Sequence, residues 1–267
     1  MTDLLPMPLH FNGQPLTNFP LSTKELFEYF PDLKQNASWF CSRAPKVVGP
    51  VGLLYVTQRE FAVAFPHDKC ISVIGSDDAT TCLIVTFRHS EIFIIFPITE
   101  ALHKQPTPLD VLTFCVGEGN TLTRGGINHP IISGLGVNVK SGEVFPATFP
   151  DKGPDMALRC ARHLTGSQQW LDIYDSNSSL LRIGPFNYEP LRGSDLWLSQ
   201  SDSFILQHLS TSPAAEPPHF VAQIRAALRQ IQLHPFPGVT VFPGNEPRIF
   251  HMDPSGHWLP YKNQYSN

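Results

Sequence analysis

Short apolar runs separated by polar turns set the pattern of the chain from residue 52 onwards. Runs rich in β-branched and aromatic residues predict a first series of strands at residues 53–57, 60–65, 71–74 and 80–87. A second series is predicted at residues 111–116, 131–140, 143–148, 170–174, 180–183, 248–252 and 257–261. The turns Ser141-Gly142 and Asp253-Pro254-Ser255-Gly256 are of the kind that close hairpins. This spacing indicates antiparallel neighbours within a sheet.

Helical periodicity and capping signals mark four further segments. The capping box Ser22-Thr23-Lys24-Glu25 predicts a short helix that stops at Pro31. Helices are also predicted at residues 155–164 and 201–209, and the longest begins at Pro217-Pro218. This longest helix carries an apolar stripe at helical spacing, formed by Phe220, Val221, Ile224, Leu228 and Ile231. Residues predicted to be irregular or loops are 1–21, 32–48 and 117–129.

These elements predict an α+β fold with a mostly antiparallel β-sheet core and several packed helices. The chain has 267 residues, enough for a sizeable core in one large domain or two closely packed lobes. We expect an N-terminal extension with a short helix at residues 1–46, followed by an α+β domain at residues 47–267.

Composition excludes several functional classes. The net charge is −4, only 16% of residues are charged, and lysines and arginines are scattered, so no nucleic-acid partner is expected. The longest apolar run, residues 92–98, is too short to span a bilayer, and the start of the chain lacks the features of a secretory signal. No membrane association is expected. We expect a monomer.

The five cysteines are odd in number and show no C-x-x-C spacing. This pattern disfavours a disulfide framework and a zinc site, so we expect no metal and a reducing intracellular compartment. The cysteines are Cys41, Cys70, Cys82, Cys115 and Cys160.

The segment Gly75-Ser76-Asp77-Asp78-Ala79-Thr80-Thr81-Cys82 carries the main chemical signal. It reads as a tight acidic turn between two strands, although Ser76 could instead cap a helix. A loop or strand start can present a thiol at a cleft, but a lone strand cysteine is more often a small buried hydrophobe. In a regular strand Cys82, Ile84, Thr86 and Arg88 share one face, and His89 projects from the other.

This segment resembles the core of the protein N-terminal asparagine amidohydrolase family, whose members deamidate N-terminal asparagine to aspartate. The resemblance covers residues 47–89 and 111–260. It is carried by the core motif and by residues 49–56, 58–60, 137–140, 149–154, 173–175, 181–185 and 209–221. The fold expected from it resembles that of cysteine deamidases.

The pattern departs from the family directly after His89. In the family a second strand there bears a histidine, which the resemblance cannot carry over to any position of this chain. Residues 90–110 are divergent or deleted, as an alternative transcript or a faulty gene model would leave them. His103 is the nearest substitute base and His129 another, but a surface histidine without this role is the commoner case. If paired strands are missing, residues 80–88 and 111–116 should expose unpaired edges.

The resemblance implies that Cys82 attacks the asparagine side-chain amide, with no cofactor. Thr80, Thr81 and Ser76 are candidates for the oxyanion site or the pocket, although strand threonines more often serve their neighbours. Asp77, Asp78 or Glu216 would bind the α-ammonium of the substrate, the alternatives being turn formation and stabilisation of a helix N-terminus. Further candidate pocket residues are Ser210, Ser212 and His219.

The expected partners are proteins or peptides that begin with asparagine. The resemblance implies a role in the N-degron pathway, in which the new aspartate leads to ubiquitin-dependent degradation, in the cytoplasm and also the nucleus. One alternative is a catalytically inactive relative that binds N-terminal asparagine. Another is deamidation of internal glutamine.

Overall fold

The strand that precedes the acidic turn lies inside the largest sheet of the computed structural model, which describes residues 9–11, 14–15, 21–88, 93–95, 109–110 and 117–261. Seven α-helices are found in these residues. They are α1 (Thr23–Tyr29), α2 (Pro31–Ser42), α3 (Met156–Leu164), α4 (Ser194–Leu198), α5 (Asp202–Leu209), α6 (Phe220–Leu233) and α7 (Pro237–Thr240). None of the helices in the described ranges is long and apolar enough to cross a membrane.

Eighteen strands are found in the same ranges, and most of their pairings are antiparallel, which confirms the predicted α+β class. The first nine are β1 (Leu9–Phe11), β2 (Gln14–Pro15), β3 (Lys46–Val47), β4 (Leu53–Tyr55), β5 (Glu60–Ala64), β6 (Val73–Ser76), β7 (Thr86–Arg88), β8 (Phe93–Ile95) and β9 (Leu109–Asp110). The others are β10 (Thr121–Arg124), β11 (Ile127–Pro130), β12 (Leu135–Asn138), β13 (Val144–Thr148), β14 (Leu171–Asp172), β15 (Tyr174–Asp175), β16 (Leu180–Ile183), β17 (Arg248–Met252) and β18 (Trp258–Pro260).

The largest sheet has the order β3-β13-β12-β6-β4, so β6 is covered on both edges. It pairs antiparallel with β12 and parallel with β4. Ile74 in β6 is fully buried. At Gly75 an added Cβ would lie 2.3 Å from the Phe149 ring, so only glycine lets this ring pack against the strand. Central pairing and close packing give the turn after β6 a rigid base.

The predicted hairpins around Ser141-Gly142 and around residues 253–256 are confirmed as β12–β13 and β17–β18. The longest predicted helix is α6, which buries Leu228 and Ile231 and packs against α3. The strands predicted at residues 170–174 and 180–183 form as β14, β15 and β16. The strand predicted at residues 111–116 lies outside the described residues.

Two segments predicted to be loops are regular structure. Residues 32–48 contain most of α2, because Pro31 occupies the first helical position, where its missing N–H costs nothing. Leu33, Ala37 and Phe40 then bury one face of that helix. Residues 117–129 contain a 3₁₀ turn and most of the hairpin β10–β11, whose turn uses Gly125 and Gly126 at positive φ.

The strand predicted at residues 80–87 is wrong over most of its length. Residues 80–85 are irregular and only Thr86–Arg88 form a strand. The competing helix from Ser76 does not form either, because Ser76 is still paired within the sheet to Leu135. The side chains of residues 82–86 therefore do not alternate as in a strand.

The expected unpaired edge is only partly present. Strand β8, from the divergent segment, pairs antiparallel with both β7 and β5 in a sheet of order β14-β5-β8-β7. The aromatic and β-branched run Phe93-Ile94-Ile95 thus covers one edge of β7. The division into residues 1–46 and 47–267 stays a prediction.

Candidate active site

Asp77 is buried at the end of β6 and is held by three neighbours. Its Oδ1 accepts a hydrogen bond from the Tyr55 hydroxyl at 2.9 Å, and its Oδ2 accepts one from the backbone N–H of Phe149 at 2.7 Å. The ammonium of Lys152 lies 2.7 Å from Oδ1. This carboxylate therefore ties the acidic turn to β4 and to the segment after β13.

Asp78 is partly exposed, and one of its carboxylate oxygens contacts two side chains. Its Oδ2 is hydrogen-bonded to Lys152 Nζ and lies 2.7 Å from His219 Nε2. Asp78 adopts φ of 61°, a left-handed conformation that aspartate tolerates better than most residues. Burial disfavours the charged carboxylate, but the hydrogen bonds from His219 and Lys152 outweigh it, so the pKa of Asp78 is lowered.

Lys152 is buried and links both aspartates. Burial alone would lower the pKa of its ammonium, but interaction with Tyr55 and hydrogen bonds to Asp77 and Asp78 raise it above the ordinary value. The Nζ also lies 5.1 Å from the centroid of the Tyr55 ring. Burial raises the pKa of Tyr55 as well, so this hydroxyl stays protonated and acts as a donor. The cluster is thus two carboxylates bridged by one fixed cation.

The loop between α5 and α6 packs against the residues that follow the acidic turn. Ser212 donates to Thr80 Oγ1 at 2.9 Å, and the hydroxyls of Thr81 and Thr211 are 3.2 Å apart. Inside the loop, Ser210 Oγ donates to Glu216 Oε1 at 2.5 Å, and the N–H of Ser212 donates to Ser210 Oγ at 2.9 Å. These bonds hold two segments together that are about 130 residues apart in the sequence.

Cys82 lies directly after the two threonines in the irregular segment. It is exposed and is a free thiol, whereas Cys41, Cys70 and Cys160 are partly buried. The neighbouring Leu83 is also exposed, at 65%. The commoner alternative for a lone cysteine, a buried hydrophobic residue, therefore does not apply to Cys82.

A cleft of about 310 Å³ opens beside this segment. Some of its lining residues come from the acidic turn, the segment before β12 and the loop after α5, and are Asp78, Thr80, Ser133, Ala215 and Pro217. The other lining residues come from the hairpin β10–β11 and the residue after it, and are Leu122, Arg124, His129, Pro130 and Ile131. The cleft therefore combines acidic and hydroxyl groups with apolar and cationic ones.

The structure brings most of the predicted site residues together. Asp78 and Thr80 line the cleft, and the loop after α5 contacts Asp78, Thr80 and Thr81 through His219, Ser212 and Thr211. Cys82 follows these residues in the chain but is not among those that line the cleft. Ser76 lies in β6, one position before this cluster. His103 lies outside the described residues. The catalytic and binding roles of these residues stay predictions.

Three residues of the cluster, and the residues of the hairpin that line the cleft apart from His129, are not predicted from the sequence. Lys152, Tyr55 and the backbone of Phe149 all contact Asp77, yet they are between 22 and 75 positions away from it. Lys152 and Phe149 lie in a motif, residues 149–154, that carries the family resemblance, and Tyr55 lies in another, residues 49–56. These motifs were the available signal. No group of three or more His, Cys, Asp or Glu side chains in the described part of the chain could hold a metal ion.

Comparison with known proteins identifies relatives along almost the whole chain. A family model described as "Protein N-terminal asparagine amidohydrolase" matches residues 43–96 and 92–260. The protein N-terminal asparagine amidohydrolases of Sus scrofa and Homo sapiens are 35% and 34% identical to this chain over 304 positions, covering 94% of the chain and 97% of each relative. The Arabidopsis thaliana protein of the same name is 25% identical over 280 positions, with coverage of 77% and 80%.

These alignments also contain positions that this chain lacks. Since 94% of 267 residues is about 251, about 53 of the 304 positions aligned with the Sus scrofa protein carry no residue of this chain. The two parts of the family match meet at residues 92–96. This break falls within residues 90–110, where the sequence departs from the family pattern.

Proposed function

The chain belongs to the protein N-terminal asparagine amidohydrolase family, and we propose that it hydrolyses the side-chain amide of an N-terminal asparagine to give aspartate and ammonia. One structural observation supports this proposal above the others. The exposed Cys82 thiol lies two residues after Thr80, which lines a cleft together with Asp78. The proposed nucleophile, Cys82, and the carboxylate proposed to bind the amino terminus of the peptide, Asp78, thus lie on one short segment.

In the proposed reaction the Cys82 thiolate attacks the side-chain carbonyl carbon of asparagine. A tetrahedral intermediate forms, the amide nitrogen leaves as ammonia after it is protonated, and water hydrolyses the thioester to aspartate. Because the thiol must lose its proton first, the reaction needs a base near Cys82. The exposed position of Cys82 leaves its sulfur open to a substrate that enters from solvent.

The base that we assign is His219. Its Nε2 contacts Asp78 Oδ2, so Nε2 donates to that carboxylate when the imidazole is neutral, and Nδ1 is left to accept a proton. The loop that leads to His219 is bonded to Thr80 and Thr81, the two residues before Cys82. His129 also lies at the cleft, but within the described residues no carboxylate is paired with it.

The group that we assign to the substrate's α-ammonium is Asp78. Asp77 is buried and already shared among three donors, and Glu216 accepts the Ser210 hydroxyl. Asp78, by contrast, lines the cleft, and its contacts within the described residues all use Oδ2. Its lowered pKa keeps the carboxylate charged, which favours an ammonium partner.

The proposed oxyanion site is formed by backbone N–H groups near Cys82. The hydroxyls of Thr80 and Thr81 are engaged by Ser212 and Thr211, and the N–H of Ala79 donates to Ser133 O at 2.9 Å. The hydroxyl contacts thus position the segment. Within the described residues no hydrogen bond engages the backbone amides of residues 80–82, which we assign to the developing negative charge.

The test is to incubate the protein with a peptide that begins with asparagine. We expect ammonia release and conversion of that residue to aspartate, as detected by mass spectrometry. N-acetylation of the peptide should abolish both, because the α-ammonium is then lost. Cys82→Ala should be inactive, whereas the matched variant Cys70→Ala should keep its activity. Activity of the Cys82→Ala protein would refute the cysteine mechanism.

The same assay separates two further functions. The missing aligned positions favour, as the second candidate, a protein that binds N-terminal asparagine without hydrolysing it. Binding of the asparagine peptide without ammonia release would support that candidate. A peptide with internal glutamine tests the third function, and its deamidation would contradict selection of the amino terminus.

Beyond the reaction itself, we propose that the product aspartate marks its protein for ubiquitin-dependent degradation, in the cytoplasm and the nucleus. The substrates would then be proteins whose amino-terminal asparagine is exposed. A reporter protein that begins with asparagine should become longer-lived in cells when Cys82 is replaced by alanine. An unchanged half-life would count against this role.

A further inference from the structure

The hairpin β10–β11 presents one uncovered face of mixed apolar and cationic character. Leu122 pairs with His129 and Arg124 pairs with Ile127 across the two strands, so these four side chains lie on the same face. Leu122 is 43% exposed and Ile127 is 46% exposed. Within the described residues the hairpin is a sheet of two strands that joins no other sheet. Leu122 and Ile127 thus leave part of this face exposed to solvent.

Three of these side chains line the cleft that also contains Asp78 and Thr80. The negative charge among the lining residues is that of Asp78 in the acidic turn, and Arg124 in the hairpin brings a positive charge to the same cleft. In the described part of the chain Arg124 makes no ion pair, whereas the Asp78 carboxylate is already bonded to Lys152 and His219. A ligand that contacts both residues would thus meet the Asp78 carboxylate and the guanidinium of Arg124, which has no ion-pair partner in the described residues.

We propose that this hairpin docks the residues that follow the N-terminal asparagine, and that Arg124 selects for an acidic side chain among them. This inference rests on the proposed function, because the α-ammonium at Asp78 gives the peptide its direction. Charge complementarity and continuity with the candidate site identify the occupant as a substrate peptide. Three extended residues span about 10 Å, so the acidic residue is expected at the second to fourth position.

The test measures peptide binding to Cys82→Ala protein, so that turnover is not needed. The two peptides begin with asparagine and differ only in carrying glutamate or lysine at the third position. We expect the glutamate peptide to bind about threefold tighter at low salt, the scale of a partly exposed ion pair, and the difference to shrink at high salt.

Arg124→Glu should reverse this preference, and Arg192→Glu, at an exposed arginine that does not line the cleft, should not. Equal affinities in the starting protein, an unchanged preference in Arg124→Glu, or no binding of either peptide would each overturn the inference. Failure of the proposed function is seen separately, as absence of ammonia release by the protein with Cys82 intact.

Discussion

His219 Nε2 lies 2.7 Å from Asp78 Oδ2, although 141 positions separate the two residues in the sequence. A carboxylate that receives one ring nitrogen fixes the orientation and tautomer of the imidazole, and leaves the other nitrogen as a proton acceptor. In this chain, which departs from the family pattern at residues 90–110, the contact supports the assignment of the base to His219, on a different element at the start of α6.

Replacing His219 and His129 separately tests that assignment. His219→Asn should lower kcat for an asparagine-initiated peptide by about 100-fold or more, because a general base contributes about 10² to 10⁴ to the rate. His129→Asn should change kcat little. Steady-state ammonia release measures both, with melting temperature as the control for folding. A larger loss of kcat in the His129 variant would contradict the role given to His219.

The two adjacent aspartates should respond differently to the same change. Asp77→Asn should lower the free energy of unfolding by about 1–3 kcal/mol, since it disturbs a buried carboxylate with three partners. Asp78→Asn should raise KM, because it weakens the site for the α-ammonium, and should also lower kcat, because it removes the carboxylate that orients His219. Urea unfolding and steady-state kinetics distinguish the two effects. Equal changes in stability and no change in KM would refute the division of roles.

Removal of Lys152 should change how stability depends on pH. The pKa of Asp78 is lowered from 3.8 in the folded protein, so its stabilising contribution is present above that value and is lost as pH falls through the folded pKa. In Lys152→Met the burial that raises this pKa would act with less opposition. The pKa of Asp78 should therefore be lowered less in the variant, and we expect the variant to lose less stability than the parent protein as pH falls below about 3.8.

Melting temperatures measured from pH 7 to pH 3 check that expectation. At pH 7 the Lys152→Met variant should lose about 3 kcal/mol, because two carboxylates are left without their buried cation. Lys24→Met, at an exposed position, is the matched control. A parallel pH profile of the variant and the parent would show that Lys152 does not govern these carboxylates.

Gly134 should be the glycine on which the acidic turn depends most directly. An added Cβ would lie 2.1 Å from the carbonyl oxygen of Ala147 and 2.5 Å from Asp77 Cβ, so Gly134→Ala must displace the backbone around Asp77. We expect a loss of about 1–3 kcal/mol in unfolding free energy and reduced activity. Gly49→Ala is the control, since nothing lies within 4 Å of its Cβ. Equal stability of both variants would contradict this contact.

Cys82 should be the most reactive of the described thiols. Iodoacetamide added to the native protein should modify Cys82 before Cys41, Cys70 and Cys160, because only Cys82 is exposed among them. An asparagine-initiated peptide at saturating concentration should slow this modification, and its N-acetylated form should not. Peptide mapping at short reaction times measures both rates. Equal protection by both peptides would argue against a site for the amino terminus.

Local patterns predicted much of the fold, and the errors have local causes. Ser22 caps α1 as predicted, but Pro31, where the sequence predicts a stop, begins α2. Gly125 and Gly126, predicted to lie in a loop, form the turn of the hairpin β10–β11. In both cases the residue suits two structures. Burial of Leu33, Ala37 and Phe40 decides the first case, and pairing of the two flanking strands decides the second. Residues 80–85 show the opposite error. Their composition is typical of a strand, but the segment is irregular.

The sequence by itself determined the fold class, the family and the segment that carries Asp77, Asp78, Thr80 and Cys82, because these depend on neighbours along the chain and on motif order. Only the tertiary structure decided which groups surround that segment. Lys152 and His219 reach Asp78 from other elements, and residues of the hairpin β10–β11 line the same cleft. Such contacts depend on how distant strands and loops pack together, and local composition does not predict that packing.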